Sequence, residues 1–239
     1  MPGPFADEQL AAYVSQPPPP PSAGFDVAAM REGGEQRARE RSRGPEMHAV
    51  RELAIGQIPA RLYRPVAKPT PLVVYLHGGG WTIGSLETHD RICRRLADGS
   101  GAAVLAIGYR LAPEHPWPAS VQDTVAALRW VAAAPPELGE APDAVAVAGD
   151  SAGGTLAALA CLRLRDEHPA ALPDLQALLY ANTDLTGAQP SMREKAAGWA
   201  WTPTRSGSSI PSGCQTARGG PTLVSARCTP PTCPGCPAR

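Results

Sequence analysis

Between residues 72 and 180, short apolar runs alternate with longer stretches of helical spacing, and this alternation constrains the fold more than any other feature. The runs 72–76, 102–107, 144–148 and 175–180 are almost continuously apolar. A strand of that kind has no polar face to turn toward water, so both of its faces must be covered. The intervening stretches 87–97, 120–133 and 151–165 carry apolar residues at helical spacing, as in Val121, Val125, Leu128 and Trp130. Buried strands alternating with helices predict an α/β fold, a mostly parallel sheet with helices on both faces. In such sheets ligands sit at the carboxyl ends of the strands. Functional residues are therefore expected in the loops that follow the apolar runs.

The N-terminal part is organised differently. Stretches 8–14 and 25–41 read as amphipathic helices, separated by five prolines at 17–21 that favour a stiff polyproline II spacer. From Met47 short alternating runs joined at Gly56-Gln57 predict a pair of strands. Three segments are expected: 1–45 as N-terminal cap helices with a Pro-rich linker, 46–200 as the α/β domain, and 201–239 as a tail of different composition.

Gly149-Asp150-Ser151-Ala152-Gly153-Gly154 lies directly between an apolar run and a helix. A G-x-S-x-G turn strains the Ser backbone, and the small flanking residues let strand and helix approach, so the hydroxyl stands out above the sheet. The adjoining helix N-terminus favours developing negative charge. The same Ser reads equally well as an N-cap in a tight turn. After the run 72–76 comes His77-Gly78-Gly79-Gly80-Trp81. Successive glycines leave backbone N–H groups bare, as an oxyanion hole requires. A phosphate cradle is excluded because no Gly-Lys-Ser/Thr follows. His77 reads better as a brace for this loop than as a catalytic group. The segment 109–119, YRLAPEHPWPA, is a proline-stiffened wall with an Arg110/Glu114 pair.

HGGGW, YRLAPEHPWPA and GDSAGG, in this order and at about this spacing, resemble the hormone-sensitive-lipase-like branch of the α/β-hydrolases. LLYANTDL and REKAAGW resemble its later segments, so the similarity covers residues 25 to 200. The resemblance implies an α/β-hydrolase fold with an N-terminal helical cap and hydrolysis of small-molecule carboxylic esters without a cofactor. Carried over by position, Ser151 is the nucleophile, and the N–H groups of Gly79, Gly80 and Ala152 form the oxyanion hole. His77 and Asp150 support them.

The family's triad runs Ser, Asp/Glu, His along the chain. The one His after Ser151 is His168, 17 residues on at the far end of a helix and about 25 Å away at 1.5 Å per residue. It cannot reach. Asp184 ends an apolar run but has no His to orient. The last strands, with the catalytic acid and base, have no counterpart, so a nearly inactive chain is expected. A non-catalytic or vestigial acyl-binding protein of the same fold is the alternative.

The tail gives a reason for that gap. Four of the six Cys and seven of the 28 Pro follow residue 201, while no Asp or Glu follows Glu194. The spacing Cys233-Pro-Gly-Cys236 suits zinc, but a second such pair is missing, so no metal is expected. With little to bury, the tail is expected to be disordered. A one-base frame displacement after Trp199 turns 200–205 into Leu-Asp-Ala-Asp-Ala, a helix start, and 227–237 into a segment resembling the family's approach to its seventh strand. An out-of-frame tail is therefore the expectation. The 22 Lys and Arg balance 22 Asp and Glu, without a basic stripe, which argues against a nucleic-acid partner. No window approaches a membrane span and the N-terminus lacks a basic and then apolar leader, so a cytoplasmic protein is expected. The sequence leaves the oligomeric state open.

Overall fold

The computed structural model describes residues 26–68, 70–139, 141–185 and 190. The helix expected at 8–14, the proline run and the whole 201–239 tail, with its frame and zinc readings, lie outside these residues. The expected helix at 25–41 is α1, Val27–Glu40. Asp26 caps it, accepting the Ala29 N–H at 3.0 Å, and Arg37 and Arg39 complement the dipole in its last turn.

Strands β1, Ala49–Ile55, and β2, Ile58–Arg64, form the expected antiparallel pair, turning at Gly56-Gln57 with Ile55 opposite Ile58. The chain then alternates β3, Leu72–Leu76; α2, Asp90–Ser100; β4, Ala103–Ile107; α3, Ala119–Ala132; β5, Val145–Asp150; α4, Ala152–Glu167; and β6, Leu175–Leu179. The six strands form one sheet in the order β1-β2-β4-β3-β5-β6. β4, β3, β5 and β6 run parallel, while β2 is antiparallel to β4. The predicted mostly parallel sheet is observed.

Period-2 alternation divides the buried strands between two cores. Leu72, Val74 and Leu76 of β3 join Leu105, Ile107, Val121, Leu128 and Leu156 in the larger one, under α3 and α4. Tyr75 joins Tyr63, Val104, Cys93 and Ala97 on the opposite face, under α2. A buried polar group needs a partner there. Asp90 supplies it, accepting from the Tyr63 hydroxyl at 2.9 Å and from Arg94 Nε at 2.7 Å, which ties α2 to β2.

The sheet order also places the functional region. From β3 the chain moves to β4 on one side, while β5 pairs with β3 on the other. The carboxyl ends of β3 and β5 therefore flank a topological switch point, where open α/β sheets bind ligands. His77 follows β3 and Ser151 follows β5.

Candidate active site

Ser151 stands between β5 and α4 with φ 50° and ψ −117°. Such a backbone is strained for a residue with a Cβ, and it persists because its surroundings hold it. The Ser151 N–H donates to Leu179 O at 2.8 Å. Gly153 is packed so closely on β3 that a Cβ there would overlap the Leu76 and His77 carbonyls, so strand and helix meet only without a side chain. The N-cap alternative is not realised: Ser151 occupies the cap position, but its side chain makes no capping bond. Among the described residues the hydroxyl is left without a hydrogen-bond partner.

The glycine loop folds beside this turn. Gly79 has φ 124°, and its carbonyl accepts from Thr82 N at 3.1 Å and Ile83 N at 3.0 Å, closing a turn in which a Cβ would strike the Ile83 carbonyl. Two bonds stitch loop and turn together. Gly78 N–H donates to Asp150 Oδ1 at 2.9 Å, and Trp81 Nε1 donates to Ala152 O at 3.1 Å. The N–H groups of Gly79, Gly80 and Ala152 meet no acceptor among the described residues.

Asp150 is the hub of this arrangement. It is buried, and besides Gly78 it accepts from the Tyr75 hydroxyl at 2.8 Å and the Tyr180 hydroxyl at 3.2 Å, with His89 Nε2 at 3.6 Å. Burial pushes its carboxyl up, but the His89 ring, the Tyr75 hydroxyl and the Gly78 N–H outweigh that and hold it at about 2. Asp150 is thus a carboxylate that fixes the loop. Burial and the Asp150 charge in turn push the Tyr75 hydroxyl well above its ordinary value, keeping it a donor.

His77 is buried, and its ring stacks on Tyr109 with centroids 4.3 Å apart. Burial and the nearby His89 lower its value to about 4, so the ring is neutral at pH 7. Its Nδ1–H then donates to Gly78 O at 2.8 Å, while the Tyr109 hydroxyl donates to His77 O at 2.6 Å. These two bonds tie the His77 ring and backbone to the glycine loop and to Tyr109.

The other wall differs from expectation. Arg110 does not pair with Glu114; its guanidinium takes Asp123, with contacts down to 2.7 Å. Glu114 is instead held by Arg31 of α1, at 2.8 and 2.9 Å. Arg31 also donates to Thr82 O at 2.8 Å and Ala112 O at 2.7 Å. One side chain thereby ties the N-terminal helix to both loops. Nothing in the α1 sequence singles Arg31 out, since arginines recur along it. Tyr75 and His89 were also missed as partners of Asp150, although a tyrosine inside an apolar strand signals a buried hydroxyl in need of one.

The strand-turn-helix with its strained Ser and adjoining glycine loop matches a family model described as the alpha/beta hydrolase fold, over residues 73–216. The chain belongs to the α/β-hydrolase family.

Relatives of this α/β-hydrolase fit the branch that the motifs resemble. It is 49% identical over 159 residues to the carboxylic ester hydrolase LipN of Mycobacterium tuberculosis, covering 62% of this chain and 42% of LipN. It is 45% identical over 159 residues to the carboxylesterase NlhH of the same organism, covering 64% of this chain and 49% of NlhH. Among solved structures, the hyperthermophilic esterase of Pyrobaculum calidifontis superposes with a TM-score of 0.68 at 41% identity, over 74% of this chain and 61% of that one. The chain thus spans about half the length of these curated relatives.

All five histidines of this α/β-hydrolase lie within the described residues. His77 and His89 are engaged as above, with the His89 Nδ1 at 2.9 Å from the Thr88 hydroxyl. His115 is exposed in the loop after β4, and His48 precedes β1, four strands from β5 and about 19 Å away at ~4.8 Å per strand. His168 closes α4, whose 16 residues span about 24 Å. None of them hydrogen-bonds to Ser151. Among the described residues no group of three or more His, Cys, Asp or Glu could hold a metal, and no helix is long and apolar enough to cross a membrane.

Proposed function

We propose that this site acts on small carboxylic esters by serine chemistry, without a cofactor, with Ser151 as the nucleophile. One observation carries the proposal: a strained Ser151 whose hydroxyl has no partner among the described residues, beside a loop whose Gly79 and Gly80 N–H groups, with that of Ala152, meet no acceptor among them either. In acyl transfer Ser151 Oγ bonds to the ester carbonyl carbon, and charge moves onto the carbonyl oxygen, which those three donors stabilise. The C–O bond to the alcohol then breaks, and water later releases the acid. His77 and Asp150 act on Gly78 and so position the donors. The kinship with named ester hydrolases supports the substrate class.

The Ser151 proton is the weak point. With no histidine hydrogen-bonded to Ser151, the proton of the attacking hydroxyl passes to solvent. Loss of the histidine costs a serine hydrolase about 10⁶ in rate, and the oxyanion hole and binding retain ~10³–10⁴ over water. This 239-residue chain is therefore proposed to turn over esters very slowly. The histidine placement also favours the alternative, an acyl-binding protein that does no chemistry.

A fluorophosphonate probe separates the two. Slow covalent labelling that maps to Ser151 by peptide mass and disappears in Ser151→Ala is expected of the proposed nucleophile. An unlabelled chain that still binds short esters would establish the binding protein instead.

A further inference from the structure

A cavity of about 1050 Å³ opens between α1 and α2 and runs inward to Gly78, Gly79 and Asp150. Its wall is dominated by arginine: Arg37, Arg41 and Arg43 on or just after α1, and Arg91 and Arg95 on α2. None of the five guanidinium groups has an ion-pair or hydrogen-bond partner among the described residues. The acids in the same wall are occupied elsewhere. Glu35 holds Arg39 at 2.9 Å, while Glu87 and Asp90 hold Arg61 and Arg94, none of which lines the cavity. Asp26 caps α1. Five free guanidinium groups against the carboxylates of Asp26 and Asp150 leave the charge facing this space positive on balance.

A second observation separates this wall from an ordinary solvated face. Arg91 Nε is buried and has no hydrogen-bond partner among the described residues. A buried donor left in that condition is destabilising until something accepts from it, and it stands on a side chain that lines the cavity. The stems of Arg91 and Arg95, one helical turn apart, are also packed. A Cβ on Gly44 would stand 3.5 and 3.9 Å from their Cγ atoms, so the segment after α1 covers the stems and leaves the guanidinium groups at the cavity.

We infer that this cavity is the subsite for an anionic group, and that the ester taken by the site carries a carboxylate or a phosphate on its acyl or alcohol part. The inference rests on the reading of Gly79, Gly80 and Ser151 as the reacting end, of which Gly79 stands in the cavity wall. Guanidinium groups match both anions, forming paired N–H···O bonds with either. Asp26, Glu35, Glu87, Asp90 and Asp150 are the acids on its walls; Glu35, Glu87 and Asp90 are paired with arginines outside the wall, and Asp26 and Asp150 keep their charge but are outnumbered by the five free guanidinium groups.

The test is a binding measurement on the full chain carrying Ser151→Ala, so that no hydrolysis intervenes. Calorimetric titrations use monomethyl glutarate, its neutral counterpart dimethyl glutarate, and glycerol 3-phosphate. At low salt monomethyl glutarate is expected to bind at least tenfold more tightly than dimethyl glutarate. The difference should collapse in 0.5 M NaCl and in Arg91→Gln or the exposed Arg95→Gln. Stronger binding of glycerol 3-phosphate than of monomethyl glutarate assigns the anion as phosphate. Equal binding of the two glutarate esters, binding of neither, or a preference untouched by both Arg substitutions and by salt overturns the inference. Fluorophosphonate labelling of the unsubstituted chain runs in parallel. Loss of labelling with the anion preference intact removes the catalytic reading alone.

Discussion

Asp150 Oδ1 accepts the Gly78 N–H at 2.9 Å, and this bond joins the turn that carries Ser151 to the loop that carries Gly79 and Gly80. The residue before the proposed nucleophile thus sets the position of the proposed oxyanion donors. The Tyr75 hydroxyl holds the same oxygen at 2.8 Å, so the carboxylate cannot swing away. Asp150→Ala strips two buried donors of their acceptor at once. A destabilisation of about 3 kcal/mol is expected, at 1–3 per unsatisfied group, read from urea unfolding. Asp150→Asn keeps one acceptor oxygen and should lose less stability. In both variants fluorophosphonate labelling of Ser151 should slow by roughly tenfold, since misplaced donors weaken stabilisation of the phosphonylation transition state. Unchanged labelling in Asp150→Ala would falsify the positioning role.

His77 makes the fold acid-sensitive in a definable window. Burial, with the neighbouring His89, lowers its value from 6.5 to about 4 in the folded chain. The unfolded chain therefore takes up the proton first. Stability is unaffected above about pH 6.5, falls as pH drops from 6.5 to about 4, and is no longer changed by His77 below that. The loss over that window is on the order of 3 kcal/mol. Asp150 adds a second window of the usual carboxylate sense, its contribution lost as pH falls from 3.8 to about 2. Urea midpoints at pH 7, 5.5 and 4.5 should decline in the unsubstituted chain and decline less in His77→Gln. Parallel declines in the two proteins would rule His77 out.

Most of the sheet was legible because its signals are local. Apolar runs that need cover on both faces, and glycines where a turn leaves no room for a Cβ, identify β3 to β6 and the Ser151 turn from one sequence. The connections among loops were not legible. Arg110 and Glu114 are near neighbours in sequence and carry opposite charge, yet they take Asp123 and Arg31 respectively. Spacing along a chain says little about partners when an irregular loop lies between them. The helix α3 presents Asp123 to Arg110, and α1 brings Arg31 across 83 positions to Glu114. The surroundings of Asp150 were half visible: GDSAGG places it beside Ser151, but its partners Tyr75, Gly78 and Tyr180 come from two other strand ends.

Arg31 predicts an unusual sensitivity of α1. No residue of that helix is buried, so apolar packing does little to hold it against the sheet. The Arg31–Glu114 pair is itself half exposed and worth little. The bonds from Arg31 to Thr82 O and Ala112 O are less exposed and are the firmer part of the clamp. Arg31→Met keeps the stem and removes all three partners. Global stability should drop by only about 1 kcal/mol, while tryptic cleavage at Arg37, Arg39 and Arg41 should accelerate about tenfold, because local opening is what proteolysis of a docked helix reads. Glu114→Gln should fall between the two. Cleavage at the unsubstituted rate in Arg31→Met would mean that α1 is held by other contacts.

β6 carries the last prediction. It is the edge of the sheet among the described residues, and its side chains are bare on both faces: Leu175 is 61% exposed, Leu179 45% and the following Tyr180 76%. β5 satisfies one side of its backbone, and among the described residues the other row of N–H and C=O groups is open. An apolar strand with an open edge is a template for pairing with another copy. The chain should therefore self-associate at micromolar concentration, as read by light scattering. A charge on the edge should oppose this without disturbing the buried side, so Leu175→Lys is expected to lower the scattering severalfold while leaving Ser151 labelling unchanged. Leu162→Lys, on the exposed face of α4 at 46% exposure, serves as the control for a general solubility effect. If both substitutions suppress scattering equally, the open edge is not the cause.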